Sequence, residues 1–219
     1  MKPQLAILYL LVTSFAYGAE VSFPEHNVSL TLPAGWEVGG QEKVEAMNAQ
    51  LRSNPRTAKA QYYKMILGPL DTMTTKPFRP YILVQVINGS VPAETFVSMF
   101  PEIEPGSMQK TAELRKTIGL EAKAEKPYFD ENTNTAVMPV SGINPEGQVF
   151  SGRSVFIPTK NKVIAFHLYA DAKTGYAIFS EILPALQGAN ISQESKVSDE
   201  WIESARKYLL RIVTKRQTK

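Results

Sequence analysis

The chain contains no cysteine and only two histidines, His26 and His167. Without thiols there can be no disulfide framework, no cysteine nucleophile, no thiolate-held zinc and no iron–sulfur cluster. Two imidazoles at unrelated positions give no zinc-ligand spacing, although two histidines plus a carboxylate remain arithmetically possible. The short motifs of well-known chemistries are also missing. No G-x-S-x-G elbow presents a serine nucleophile, and there is no phosphate-cradling G-x-x-x-x-G-K-[ST] loop, no G-x-G-x-x-G and no H-E-x-x-H. Beyond the first eighteen residues, every apolar run is interrupted by proline, glycine or charge before the roughly 20 residues a bilayer-spanning helix needs. Charge of one sign is likewise scarce: 24 basic residues against 21 acidic ones give a formal net charge of +3. That balance argues neither for nor against a polyanionic partner, and no nucleic-acid partner is expected, since no aromatic interleaving accompanies the basic C-terminal residues.

What is present begins at the N-terminus. Lys2 precedes an uncharged run from Leu5 to Ala16, which is too short to span a bilayer. Ala16-Tyr17-Gly18 then gives the small-any-small pattern of a signal-peptidase site, which predicts cleavage before Ala19. The expectation is a secreted or periplasmic protein with residues 1–18 as a signal peptide. A long mature chain of this composition can form a core without covalent staples.

Downstream, Asn27 to Leu32 alternates polar and apolar residues as a half-buried strand does, and breaks at Pro33-Ala34-Gly35. Gln41 to Ser53 spaces Val44, Met47 and Leu51 for an amphipathic helix. Ala60 to Leu67 and Tyr81 to Asn88 read as strands, Pro92 to Phe100 as a short helix, and Met108 to Ile118 as either. Leu120 to Phe129, Thr135 to Val140, Gln148 to Pro158 and Lys162 to Ala170 are separated by short turn signals and predict an antiparallel meander. Asp130 to Asn134 begins like a calcium loop. It lacks both the glycine of the sharp bend and the closing glutamate, so it reads as a hairpin turn.

Two helices follow. Ala172 to Leu186 carries Tyr176, Phe179, Ile182, Leu183 and Leu186 on one face, with Pro184 ending or bending its last turn. Ser198 to Lys215 has Ser198 as N-cap, acids in its first turn, and an apolar stripe that includes Trp201 and Tyr208. Set against that stripe are Arg206, Lys207, Arg211 and Lys215. Together with Trp201 and Tyr208 they form the candidate partner surface. Three readings compete for this helix: packing back on its own domain, docking on a partner, or lying on an anionic membrane surface.

Three pieces of this sequence resemble the PsbP-like proteins. They are the turn Leu32-Pro33-Ala34-Gly35-Trp36, the step Gly119-Leu120-Glu121-Ala122 into a strand, and the hairpin running into a helix over Arg153 to Leu186. That superfamily is named for an extrinsic photosystem II subunit and includes a Ran-binding family and small bacterial exported proteins. The resemblance covers Phe23 to Ile191. It implies an α+β fold, an antiparallel sheet with helices packed on its faces (an α/β/α sandwich), and a non-enzymatic role in binding or assembly. The C-terminal amphipathic helix lies outside it. The domain reading is therefore a signal peptide over 1–18, a PsbP-like domain over 19–191, and a linker with a basic amphipathic helix over 192–219. No catalytic residue, metal ligand or cofactor is assigned. The expected partner is another exported or envelope protein, a membrane surface being the weaker reading. The alternative function is a hydrolase whose carboxylates carry no recognisable motif.

Overall fold

The computed structural model describes residues 19–53, 60–70, 78–98, 126–143 and 147–217. Residues 1–18, expected to be a signal peptide, the ambiguous Met108 to Ile118 stretch, the Gly119 to Ala122 step and most of the Asn144 to Gly147 turn lie outside them.

Ten strands and four α-helices are described. β1 (Ala19–Phe23) and β2 (Val28–Leu32) flank a single 3-10 turn at Pro24–His26, followed by β3 (Glu37–Gly39), α1 (Gln41–Ser53), β4 (Ala60–Leu67) and β5 (Tyr81–Asn88). Then come α2 (Ala93–Ser98), β6 (Tyr128–Asp130), β7 (Thr135–Ile143), β8 (Val149–Pro158), β9 (Lys162–Asp171), α3 (Gly175–Gln187), β10 (Asn190–Ile191) and α4 (Asp199–Gln217). Three of the four strands of the predicted meander are present as β7-β8-β9, joined by β6, while most of the expected first strand, Leu120 to Phe129, lies outside the described residues. The meander joins the first hairpin through β5 and β9 to give one antiparallel seven-stranded sheet of order β3-β4-β5-β9-β8-β7-β6.

The alternation of side chains along these strands divides the core in two. One face carries Ile66, Ile82, Val84, Val155, Ile164, Phe166 and Leu168. Onto it pack α3, through Phe179, Ile182 and Leu186, and a second sheet of order β1-β2-β10. The opposite face holds α1 at one end, over Met65 and Leu83, and α2 with α4 at the other, over Ala136, Phe156 and Ala165. The protein is thus an α+β sandwich, with one departure from the expected layering. One outer layer is largely a three-stranded sheet, because Val21, Phe23, Val28, Leu30 and Leu32 all point from β1 and β2 into the core.

Two of the resemblance's three motifs fall in the described residues. Gly35 takes φ +89 in the turn after β2, a left-handed value that suits glycine, and lets buried Trp36 fold back beneath Gly68. Arg153 to Leu186 is the β8-β9 hairpin running into α3, with Pro184 at the start of that helix's last turn. The stretch after β10 is pinned to the domain. Ser192 donates its N–H to the Asn27 carbonyl at 3.0 Å, Lys160 donates to the Ser195 carbonyl at 3.1 Å, and Thr159 bridges Lys196.

Candidate functional site

Helix α4 starts where its sequence says it should. The Ser198 hydroxyl accepts the Trp201 N–H at 3.3 Å, satisfying one of the helix's free donors. One turn on, Ala205 is fully buried, and Trp201 and Tyr208 pack half-buried against α2 and the sheet. The Trp201 indole is fixed twice. Its Nε1 donates to the Val91 carbonyl at 2.8 Å, and its ring lies 5.6 Å from that of Phe96. The two aromatic members of the candidate surface are therefore seated on the domain, and the described basic members face outward. Arg206 reaches Glu203 at 3.1 Å and Glu131 at 3.7 Å, Arg211 comes to 4.0 Å of Glu94, and Lys207 is exposed. The side chain of Lys215 lies outside the described residues. Ion pairs this exposed each contribute about 0 to 1 kcal/mol, so they orient side chains more than they hold the helix in place.

Between α2 and α4 the surface is concave. A groove of about 380 Å³ is lined by Pro92, Ala93, Glu94, Thr95, Glu200, Trp201 and Ser204. None of these is basic. Both carboxylates come from first helical turns, where the positive end of the helix dipole favours them. The Glu200 carboxyl is held below its ordinary range, first by the Ser198 hydroxyl and then by its own backbone N–H. Two acids beside one groove invite a glycosidase-type reading, but that chemistry needs one carboxyl kept protonated by a raised pKa. Glu200, shifted the other way, is not that acid. The groove's chemistry is that of a fixed aromatic surface with anionic flanks, which suits binding.

The two histidines lie on opposite faces of the large sheet and cannot share a ligand. His26 sits in the 3-10 turn, with its ring 4.4 Å from that of Tyr63 and its Nδ1 3.2 Å from Lys162 Nζ. Burial, then the Lys162 charge, lowers its pKa. His167 projects from β9 on the α1/α4 face. Its Nε2 lies 3.0 Å from Gln85 Oε1 and its Nδ1 2.8 Å from Ser154 Oγ. The amide oxygen can only accept, so Nε2 carries the proton and Nδ1 accepts from the serine hydroxyl. The fold sets a serine hydroxyl against this histidine. It does not supply catalysis. Ser154 is 1% exposed, the imidazole's second partner is a neutral amide and not a carboxylate, and burial brings the His167 pKa down to about 4, far from a useful general base at neutral pH. The chain Ser154-His167-Gln85 is a satisfied polar bridge across three strands.

Asp130 closes its hairpin as an Asx turn, accepting the Asn132 N–H at 2.9 Å, and its other oxygen accepts from Gln187 at 2.9 Å. Both oxygens are used within the protein, consistent with a turn and not a calcium loop. Among the described residues no group of three histidines and acids is placed to hold a metal ion, and no helix is long and apolar enough to cross a membrane.

No protein-family model matches the chain, and no curated protein matches it. Among solved structures it is similar to LpqN of Mycobacterium tuberculosis, described as involved in cell envelope biogenesis. The TM-score is 0.38 at 10% identity, covering 80% of this chain and 85% of that one.

Proposed function

We propose that this is an exported, non-enzymatic binding protein that engages a partner from the extracytoplasmic space or cell envelope through the groove between α2 and α4. The observation that carries this reading is the Trp201 indole, locked by Val91 and Phe96 at the side of a groove open to solvent. A rigid aromatic group in a concave surface is the usual anchor of a protein interface, since its area is large and little side-chain entropy remains to be lost on association. The basic row Arg206, Lys207, Arg211 and Lys215 extends the same helix beyond the groove and is its polar continuation.

Deleting α4 would not test this, because Ala205 and Trp201 belong to the core and their loss would damage the domain. Filling the groove is cleaner. Ser204 is exposed on its wall, and Ser204→Trp should occupy it with the fold intact by circular dichroism. Affinity enrichment from the native exported fraction is expected to recover a partner with the parent protein and to lose it with Ser204→Trp. Equal recovery by both, or no specific partner for the parent, removes the reading. Export has its own check. N-terminal sequencing of the protein from its native host is expected to begin at Ala19, the first residue of β1, and an intact N-terminus starting at Met1 would overturn the signal-peptide assignment.

A further inference from the structure

The exposed side of α4 changes sign along its length. Glu200 lies at the groove, and Lys207 and Arg211 follow seven and eleven residues later on the same side of the helix, all three exposed. At 1.5 Å per residue the negative and positive positions are about 10 to 16 Å apart. Glu94 of α2 stands on the facing wall of the groove, with its carboxylate 4.0 Å from the Arg211 guanidinium. The Glu200 end of the helix is also the end with an aromatic surface, and the face of an indole attracts a cation.

We infer that the groove receives a lysine or arginine side chain from an extended segment of the partner protein, with an acidic residue of that segment meeting Lys207. An extended chain advances about 3.3 Å per residue, so the two charges of the segment stand roughly three positions apart. This rests on the groove being the binding surface and names what fills it. The charge spacing selects a peptide over a zwitterionic lipid headgroup, whose two charges are separated by only a few bonds and cannot reach from Glu200 to Lys207. A uniformly basic segment fits poorly as well, because it would place its second cation against Lys207.

The test uses the mature protein labelled with nitrogen-15. It has two tryptophans, of which Trp36 is buried against Gly68, so the Trp201 indole N–H is a resolved reporter at the groove. The probe is a capped glycine peptide with one lysine and one glutamate three positions apart, compared with versions carrying two lysines or two glutamates. Titration is expected to shift the Trp201 indole resonance and leave that of Trp36 in place. Binding of the lysine–glutamate peptide should be at least about tenfold tighter than that of either control, and weakened at least about tenfold by Glu94→Gln with Glu200→Gln, an effect of the size a few exposed charges can supply. No shift at Trp201, equal shifts with the two-glutamate peptide, or indifference to the double substitution would overturn the inference. So would binding to phosphatidylcholine vesicles in place of the peptide. If Ser204→Trp abolishes partner capture while these peptides fail to bind, the groove stands as the partner site and the cationic occupant alone is wrong.

Discussion

Replacing Phe23 by alanine is expected to lower the unfolding free energy by about 3 to 5 kcal/mol, the cost of truncating a fully enclosed aromatic side chain. Phe23 is 1% exposed at the end of β1, with its ring 6.0 Å from that of Tyr63 and 6.5 Å from that of Phe166. It is one of the residues through which the small sheet grips the large one, and Lys64 lays its ammonium 5.6 Å from the same ring. Removing it leaves a void at the seam between two sheets, each held by its own backbone bonds and so unable to close inward freely. Urea unfolding should show the midpoint falling with little change in slope if the transition stays two-state. Phe23→Leu, which keeps most of the volume, should recover more than half of the loss. A loss below about 1 kcal/mol for the alanine variant would mean that the small sheet is not part of the cooperative core.

The small sheet is also the part of the fold that sequence periodicity did not reveal. β2 was legible because Val28, Leu30 and Leu32 alternate with polar residues over six positions. β1 carries the same pattern in Val21 and Phe23, but over only five residues close behind the apolar run Leu5 to Ala16, too few to separate a strand from the end of that run. β3 and β10, of three and two residues, exist only because partners lie beside them, and no local signal specifies such short pieces. By contrast α1, β4 and β5 fall on their expected bounds, since each has a full period and a clear breaker.

The site was legible in part. Trp201, Tyr208 and the basic row could be assigned to one helix from spacing alone, and Ser198 to its cap. Which side of that helix meets the domain is a tertiary fact, and it turned the two aromatics inward. Glu94 and Glu200 were invisible as a pair because they lie on helices far apart in sequence and are only two of 21 acids. The Ser154-His167 contact was missed by one residue. Closing the β8-β9 turn over Thr159 to Asn161 would pair Pro158 with Lys162 and set Ser154 opposite Phe166. The turn in fact closes with the Thr159 N–H on the Lys162 carbonyl, Pro158 pairs with Val163, and Ser154 comes opposite His167. A one-residue change of register exchanges every facing pair along a strand.

That contact makes the second large prediction. His167 is neutral in the folded protein, because burial lowers its pKa from 6.5 to about 4, and becomes free to take a proton on unfolding. Above about pH 6.5 neither state binds that proton and the bridge contributes in full. As the pH falls from 6.5 toward 4, the unfolded chain is protonated first, and stability drains away at up to 1.36 kcal/mol per pH unit. Urea titrations at pH 7 and pH 4 are expected to show the parent losing about 3 kcal/mol more than His167→Gln, carboxylates common to both proteins cancelling in the comparison. At pH 7 the variant should be the less stable of the two, since Ser154 is buried and loses its acceptor. The two pH profiles therefore converge toward acid. Parallel profiles would show that His167 does not titrate differently on folding and would remove the burial argument. The same variant separates structure from function. At pH 7 it should leave the Trp201 response to the lysine–glutamate peptide within about twofold of the parent, because nothing in the bridge touches the groove. A lost response in a folded His167→Gln protein would move the binding site from the α2/α4 groove to the centre of the sheet.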